Sequence, residues 1–281
     1  MIFEHLQPSL PLRTFVKKYQ LLHFKVEQSD ATFVKPYPPC PEQCLTFNPH
    51  STLTSINQQT GEVMLRTSTY LSGQQVSRLN LHVSNDYLML KIVFHPGAMF
   101  QLFKVPMTLL TDRYLDAETM IGNEITTVNE QMANAGSYQR IVDIAEEYLL
   151  SKAKKSKVDA NQVNKIGQLL IENPTRFSLD WLADQAAWSP RHLDRQFLER
   201  LGVSPRFFAR ISRFDKAFTL KQQRPSLDWL SIALQTGYND YQHMVKDFKQ
   251  FACTTPNVML EADQKSPERI LRLVTNDMAT K

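Results

Sequence analysis

Residues 189–205 read SPRHLDRQFLERLGVSP, and residues 240–256, which begin 51 positions later, read DYQHMVKDFKQFACTTP. Both stretches follow one spacing: an apolar residue, phenylalanine four positions on, glycine or cysteine five positions after that, and proline three positions further. Each stretch follows a turn and a short helix-like segment that contains Leu182-Ala183 or Ile232-Ala233. The repeat predicts two tandem helix-turn-helix units, an arrangement that reads neighbouring stretches of one DNA groove.

Capping residues mark the helices of the first unit. Ser178 is a favourable N-cap for a helix over 179–186. Ser189 caps the next helix, and Pro190 suits the first turn of that helix because its missing N–H needs no partner there. The sequence therefore predicts two short helices that are separated by a tight turn.

The second of these helices has one apolar side and one polar side. Leu193 and Phe197 are four positions apart and therefore lie on the same face. At about 100° per residue, Arg191 and Arg195 lie about 160° from Leu193, on the opposite face. Such an arginine pair can reach O6 and N7 of guanine, although an ordinary charged, solvent-exposed face explains the same pattern.

The second unit repeats this arrangement. Asp240 is its predicted N-cap, and Met244 and Phe248 form the buried pair. Gln242 and Lys246 then occupy the positions of the two arginines. The pentapeptide Ser-Leu-Asp-Trp-Leu also occurs twice, but its offset of 48 differs from the offset of 50 to 51 downstream, so we do not expect the two copies to be in structural register.

A connecting helix is predicted between the two units. Its apolar stripe has spacings of four, three and four, and consists of Phe207, Ile211, Phe214 and Phe218. A basic row lies beside the stripe and consists of Arg206, Arg210 and Arg213. We expect this helix to hold the two reading helices about one DNA turn apart, roughly 34 Å.

The charge is unevenly distributed over the 281 residues. The net charge is +4, with 11 basic and 14 acidic side chains in residues 1–150 and 13 basic and 9 acidic side chains in residues 160–260. The C-terminal part therefore attracts polyanions and the N-terminal part does not. No apolar run approaches the length that a membrane span requires and no signal peptide is visible, which predicts a cytoplasmic protein.

Residues 1–95 are predicted to form short strands. Apolar residues alternate over 88–94, and the segments 63–70 and 76–83 are rich in β-branched residues, with a turn at Ser72-Gly73 between them. Together these features indicate a small β-barrel or β-sandwich that is followed by helices. The predicted fold class is thus a two-domain α+β protein whose C-terminal domain is all-α.

The domain boundaries follow from composition. Residues 1–151 form the β-rich domain, 152–159 a lysine-rich solvated linker, 160–261 the tandem helix-turn-helix domain and 262–281 a loosely held tail. A helical stripe over 137–151 ends the first domain. Two interpretations of this stripe stay open, packing on its own domain or pairing with a second subunit.

The three cysteines favour reduced thiols in a reducing compartment. Cys40 and Cys44 are four positions apart, and a zinc or redox site there would need further ligands, of which only His50 is close in sequence. His82 and His95 do not show the spacing of a metal-binding β-barrel. We therefore expect no metal and no cofactor.

The C-terminal residues resemble the AraC/XylS family of bacterial transcription regulators over about 100 residues, from near 160 to near 260. The motifs that carry this resemblance are Leu182-Ala183, SPRHLDRQF over 189–197, Gly202-x2-Pro205, Arg213-x3-Ala217, Ile232-Ala233, Gly237-Tyr238, Phe248-Lys249 and Thr255-Pro256. Two positions depart from the family pattern, since Cys253 replaces a usual glycine and Met244 a usual aromatic residue. The N-terminal half resembles the sensor domains of this family less specifically.

The resemblance implies a set of DNA contacts and partners. The implied base-contacting residues are Arg191, Asp194, Arg195, Tyr241, Gln242 and Lys246. Candidates for the DNA backbone are Ser189, His192, Asp240 and His243. The implied partners are double-stranded operator DNA and RNA polymerase, together with a small-molecule effector and a second copy of the chain.

The leading hypothesis is therefore a sequence-specific transcription regulator, most simply an activator, with a sensing or dimerisation domain at its N-terminus. An enzyme is disfavoured, because no phosphate-binding glycine loop, G-x-S-x-G or H-E-x-x-H motif occurs and Cys40 and Cys44 are too few for a DNA-repair methyltransferase. A ligand-binding or protein-interaction module without specific DNA binding is the remaining alternative. It predicts little salt dependence of DNA binding, whereas a regulator predicts a steep one.

Overall fold

The structure is a computed structural model that describes residues 1–27, 33–156, 162–175 and 178–273. A β-rich N-terminal domain is followed by a helical C-terminal domain, as the sequence predicts. The strands of the described residues are β1 (Ile2–Leu6), β2 (Val16–Lys25), β3 (Phe33–Tyr37), β4 (Gln43–Phe47), β5 (Leu53–Asn57), β6 (Val63–Arg66), β7 (Thr69–Ser72), β8 (Leu79–Val83), β9 (Asp86–Phe94) and β10 (Tyr114–Asp116).

The helices divide between the two domains. Those of the N-terminal domain are α1 (Ala98–Phe103), α2 (Ala117–Ile121), α3 (Glu124–Ala133) and α4 (Tyr138–Lys155). Those of the C-terminal domain are α5 (Gln162–Glu172), α6 (Leu179–Ala186), α7 (Pro190–Leu201), α8 (Pro205–Gln223), α9 (Trp229–Gln235), α10 (Tyr241–Ala252), α11 (Pro256–Gln264) and α12 (Pro267–Ile270). Within the described ranges, no helix is both long enough and apolar enough to cross a lipid bilayer.

The strands form two open antiparallel sheets rather than a closed barrel. One sheet has the order β1-β2-β9-β4-β7-β10, and the other has the order β3-β8-β5-β6. Strands β5 and β8 alternate between buried and half-buried residues, as expected for strands with one face on the core. Strand β9 is almost wholly buried because it lies between β2 and β4 in the middle of the larger sheet.

Two strand predictions need correction. Residues 63–70 are not one strand, because the chain passes from one sheet to the other at 67–68 and β6 and β7 pair with different partners. The strand predicted over 76–83 begins only at Leu79. Val76 and Ser77 instead donate backbone N–H bonds to the carboxylate of Asp112, both at 3.0 Å, which holds the segment 74–78 away from the sheet.

Helix α4 packs on its own domain. Its apolar side, which consists of Ile141, Ile144, Ala145, Tyr148 and Leu149, is buried in the same core as the larger sheet. The subunit-pairing interpretation of this stripe is therefore not supported. The helix also continues to Lys155, so the first residues of the predicted linker are helical, while residues 157–161 lie outside the described residues.

The C-terminal domain contains two apolar cores that are joined by one helix. The first core combines α5, α6 and α7 with the beginning of α8, and the second combines the rest of α8 with α9, α10 and α11. Along α8, Phe208 belongs to the first core, and Ile211, Phe214 and Phe218 belong to the second. The predicted stripe of the connecting helix is thus confirmed, with Phe207 half-buried between the two cores.

The two domains make close contacts at the C-terminal ends of the predicted reading helices. Thr111 Oγ1 donates a hydrogen bond to the Gly202 carbonyl (2.8 Å), and Gln43 Nε2 donates one to the Arg200 carbonyl (2.9 Å). Gly202 has φ +79°, and a Cβ at this position would lie 2.7 Å from the carbonyl oxygen of Met107. Glycine is therefore required here both by its backbone conformation and by the close approach of the two domains.

The segment 74–78 extends this contact to both helix-turn-helix units. The side chain of Val76 packs against the first core and also against the second. Arg78 also lies near Cys253, which follows α10, since its positive charge opposes the rise that burial causes in the pKa of that thiol. One segment of the N-terminal domain therefore contacts both halves of the C-terminal domain.

The predicted loose tail is wrong for residues 262–273. Helix α11 runs past residue 261, and Ser266, Pro267 and Glu268 are buried. Burial alone would raise the pKa of Glu268, but the ammonium group of Lys35 on β3 forms an ion pair with it and lowers that pKa. Residues 266–268 are thus held by a contact between distant parts of the sequence, and residues 274–281 lie outside the described residues.

We expect Val76→Asp to uncouple the two domains. Val76 is half-buried against two apolar cores, so a carboxylate there would be partly desolvated, at a cost of about 1–3 kcal/mol. All three tryptophans, Trp181, Trp188 and Trp229, lie in the C-terminal domain, so tryptophan fluorescence reports its unfolding and far-ultraviolet circular dichroism reports both domains. In urea, the two curves should coincide for the wild type and should separate for the variant.

Val63→Asp provides a matched control for this experiment, because Val63 on β6 is 64% exposed. Its two unfolding curves should remain superimposed. Curves of Val76→Asp that match those of the wild type would show that the segment does not couple the domains.

Candidate nucleic-acid interface

Side-chain caps build the first helix-turn-helix unit as predicted. The Ser178 hydroxyl accepts a hydrogen bond from the Trp181 N–H (3.4 Å), and the Ser189 hydroxyl accepts one from the His192 N–H (3.3 Å). Between the two helices, Ala187 has φ 54° and terminates α6 in the left-handed conformation. This turn directs α7 away from α6, so that only one side of α7 faces the core.

Helix α7 presents its two predicted arginines to solvent. Leu193 and Phe197 are fully buried, whereas Arg191 and Arg195 are exposed and Asp194 is half-buried. The buried side is therefore fixed by packing, and the polar side is available to a ligand.

His192 contacts its own helix and the preceding turn. Its Nδ1 lies 3.0 Å from a guanidinium nitrogen of Arg195, and its ring contacts the ring of Trp188 edge to face with a centroid distance of 4.7 Å. These contacts orient Arg195 on the polar side of α7. His192 thus has a structural role, in addition to its predicted place near the DNA backbone.

The second unit has the same local design. The Asp240 carboxylate caps α10 by accepting a hydrogen bond from the His243 N–H (2.6 Å), and Met244 and Phe248 are fully buried. Gln242 and Lys246 are exposed on the opposite side.

The residues beside this pair are less accessible. Tyr241 is half-buried against the second core, and the ring of His243 contacts that of Tyr238 with a centroid distance of 5.3 Å. Both side chains therefore present only part of their surface to solvent.

The two helix-turn-helix units have equivalent helix lengths and equivalent helix ends. Helices α7 and α10 both have 12 residues and are followed by a residue in the left-handed conformation, Gly202 at φ 79° and Cys253 at φ 55°. The caps of α6 and α9, Ser178 and Asp228, are 50 positions apart. The repeated pentapeptide is therefore out of register, as the sequence indicates.

A buried charge cluster braces the second unit, and sequence reasoning missed it. Asp247 on α10 is 2% exposed and accepts hydrogen bonds from Arg210 (2.6 Å), Arg213 (3.4 Å) and the Tyr238 hydroxyl (3.0 Å). Burial, followed by the neighbouring carboxylate, raises the pKa of Tyr238, which keeps its hydroxyl protonated as a donor.

This cluster changes the interpretation of the basic row on α8. Arg210 and Arg213 turn toward the protein and fix α10 on α8, and the guanidinium of Arg213 also lies 4.3 Å from the ring centroid of Tyr238. The sequence did contain a signal, because Asp247 lies about 60° from the buried Met244 around the helix and so faces the core. A carboxylate in that position requires cationic partners nearby.

Burial disfavours the thiolate form of both paired cysteines. Burial raises the pKa of the Cys44 thiol to about 12, and it also raises the pKa of Cys40 well above its usual range. Both thiols are therefore protonated at neutral pH and do not supply the thiolate that an acceptor cysteine needs. His50 lies close to His23 and Asp86, and among the described residues these three form the group that could hold a metal ion.

Comparison with known proteins gives two family matches. Residues 182–262 match a helix-turn-helix domain family, and residues 4–116 match a domain of unknown function (DUF6597). An uncharacterized HTH-type transcriptional regulator of Haemophilus influenzae is 28% identical over 145 residues. That alignment covers 46% of this chain and 48% of the relative, so the match spans about half the length of that regulator.

Two solved structures match this chain at low sequence identity. ToxT from Vibrio cholerae O395 is 12% identical, with 89% of this chain and 98% of that chain covered and a TM-score of 0.47. The AraC-like transcriptional activator CuxR is 7% identical, with 66% and 75% covered and a TM-score of 0.25.

We expect Asp247→Asn to lower the free energy of unfolding by about 2–4 kcal/mol, because it removes the negative charge that two arginines share in a buried site. Urea unfolding followed by tryptophan fluorescence measures this change. Asp194→Asn is the matched control, since Asp194 is a half-buried carboxylate on the polar side of α7, and a change within about 0.5 kcal/mol is expected. An Asp247→Asn variant as stable as this control would contradict the bracing role.

Proposed function

We propose that this chain, whose residues 182–262 form a helix-turn-helix domain of the AraC/XylS type, is a sequence-specific DNA-binding transcription regulator. The observation that carries the proposal is the duplicated reading helix. Helices α7 and α10 share a side-chain cap, a fully buried apolar pair, a left-handed terminal residue and two exposed long polar side chains at equivalent positions. Such helices are suited to the major groove, where long polar side chains distinguish base pairs.

The proposed base contacts come from the polar sides of both helices. They are Arg191, Asp194, Arg195, Tyr241, Gln242 and Lys246. Ser189, His192, Asp240 and His243, at the helix N-termini, are proposed to lie at the DNA backbone, because a helix N-terminus directs its free N–H groups and its positive dipole toward phosphate. Partial burial limits the reach of Asp194 and Tyr241, so the exposed pairs on each helix are the main determinants.

We further infer that the N-terminal domain senses an effector and transmits its binding to the reading helices. The segment 74–78 contacts both apolar cores through Val76, and the loop at 107–111 contacts the end of α7. A ligand that favours another position of these segments would act on both units together. The proposed division is a sensor domain of about residues 1–156 and a DNA-binding domain that begins at α5.

Activation and contact with RNA polymerase are proposed from the resemblance to AraC/XylS regulators. The alternative, an interaction module without specific DNA binding, differs from this proposal in its electrostatics. A module that binds protein has no need to release the counterions of DNA, whereas a groove-reading domain must do so.

We expect Arg195→Ala to weaken binding to the operator by about 1–3 kcal/mol and to relax base preference at one position. Genomic footprinting of the intact protein identifies the operator, and gel-shift titrations with single-base variants measure both effects. Arg224→Ala is a matched control, because Arg224 is an exposed arginine at the end of α8, outside both reading helices. Unchanged affinity and selectivity of the Arg195→Ala variant would contradict the proposed contact between Arg195 and a base.

We also expect DNA affinity to fall by roughly 10- to 100-fold between 50 and 200 mM salt, because bound cationic side chains displace counterions from phosphate. Fluorescence anisotropy with a labelled operator duplex measures this dependence. An affinity that stays nearly constant over this range would favour the interaction module.

A further inference from the structure

Three side chains from distant parts of the sequence meet at one end of the larger sheet. His23 lies on β2, His50 lies in the turn between β4 and β5, and Asp86 is the first residue of β9. One potential ligand atom from each residue lies within 4.8 Å of the other two. We propose that His23, His50 and Asp86 form a binding site for a divalent first-row transition-metal ion of the zinc class.

The distances between the donor atoms suit a small metal ion. Asp86 Oδ1 lies 3.1 Å from His50 Nδ1 and 3.6 Å from His23 Nε2. In a tetrahedral zinc site with bonds of about 2.0–2.1 Å, neighbouring ligand atoms are about 3.3–3.4 Å apart. The two observed distances lie on either side of this value.

His23 Nε2 is the atom that most directly indicates a ligand. It is buried and has no hydrogen-bond partner among the described residues, whereas His23 Nδ1 lies 2.8 Å from the Tyr138 hydroxyl. Nδ1 can donate to the Tyr138 hydroxyl or accept from it. In the second case Nε2–H lies 3.6 Å from Asp86 Oδ1, which is too long for a hydrogen bond. In the first case the Nε2 lone pair points at the Asp86 carboxylate, which is unfavourable unless a cation lies between them. A metal ion relieves this repulsion, and a hydrogen bond to the second ring nitrogen is the usual support of a metal-binding histidine.

The surrounding contacts fix the other two ligands. The Ser84 hydroxyl donates to the Asp86 carbonyl (2.8 Å) and lies 3.1 Å from the Ser51 hydroxyl, which ties the turn that carries His50 to the start of β9. The site is therefore held by β2, two turns and the first residue of α4. Such support keeps the ligands close together before the ion arrives.

The chemistry of the donors selects the metal. Two imidazoles and one carboxylate suit zinc and its neighbours, whereas calcium and magnesium prefer oxygen ligands alone. Three protein ligands leave a coordination position open to water or to an exchangeable ligand.

The charge of Lys25 weakens metal binding, but its side chain does not block the metal position. Its ammonium lies 3.0 Å from Asp86 Oδ2, the oxygen that is not directed at the histidines, and its side chain is 72% exposed. The lysine can therefore withdraw into solvent, but its charge weakens the attraction of the site for a dication. Removing this charge should strengthen metal binding, an effect that a purely structural hydrogen-bond cluster does not predict.

The test is a titration of the full chain with Zn²⁺ in competition with a chelating dye at neutral pH. The wild type should bind one ion, and His23→Gln, His50→Gln and Asp86→Asn should each weaken binding by tenfold or more. Tyr138→Phe should weaken it by about tenfold, and Lys25→Gln should strengthen it by about two- to fivefold. His82→Gln is the matched control, because His82 lies on β8 in the other sheet, and its affinity should equal that of the wild type.

Two further measurements distinguish loss of the metal site from misfolding and from metal binding at a cysteine. Circular dichroism of the metal-free variants identifies any that fail to fold, and Tyr138→Phe and Lys25→Gln, which leave all three ligands intact, then decide the outcome. The absorption spectrum of the Co²⁺-loaded protein should lack the near-ultraviolet charge-transfer band of a cobalt–thiolate bond. Equal Zn²⁺ affinity in wild type and ligand variants, no saturable binding, or a thiolate band that places the ion at a cysteine would each overturn the proposal.

Discussion

Helix α8 contributes its apolar side to two cores at once, and the arrangement of the C-terminal domain depends on this sharing. It has 19 residues, and it contributes Phe208 to the first core and Ile211, Phe214 and Phe218 to the second. Because protein cores are close-packed, neither reading helix can move relative to α8 without opening a cavity. The placement of α7 relative to α10 is therefore set by one rigid helix rather than by a flexible connection.

The two reading helices are stabilised in different ways. Helix α10 is fixed within its own domain by the buried Asp247, whose charge is shared between two arginines of α8. The corresponding position on α7 is Gln196, and the end of α7 instead contacts the N-terminal domain through the carbonyls of Arg200 and Gly202. The end of α7 therefore depends on contacts with the N-terminal domain, whereas α10 is fixed mainly by α8.

Local patterns in the sequence predicted the helices of the two helix-turn-helix units. They could not predict contacts between residues that are far apart in the sequence. The caps at Ser178, Ser189 and Asp240 and the two buried pairs follow from short-range spacing, which explains why they are confirmed. Two contacts join residues that are far apart in the sequence, namely the ion pair between Lys35 and Glu268 and the cluster around Asp86. No periodic pattern in the sequence predicts such contacts. The division of 63–70 between two sheets was missed for a similar reason, because alternation identifies a strand but not its partner.

The close fit at the domain boundary restricts how this architecture can be recombined. A chimera that joins the helical domain to the sensor of a relative would need a small apolar side chain in the place of Val76, a hydroxyl in the place of Thr111 and a cation opposite the buried Glu268. Without that cation, the chimera would retain a desolvated negative charge at Glu268. Exchange of N-terminal domains between such proteins should therefore succeed only when the incoming domain carries these three docking residues.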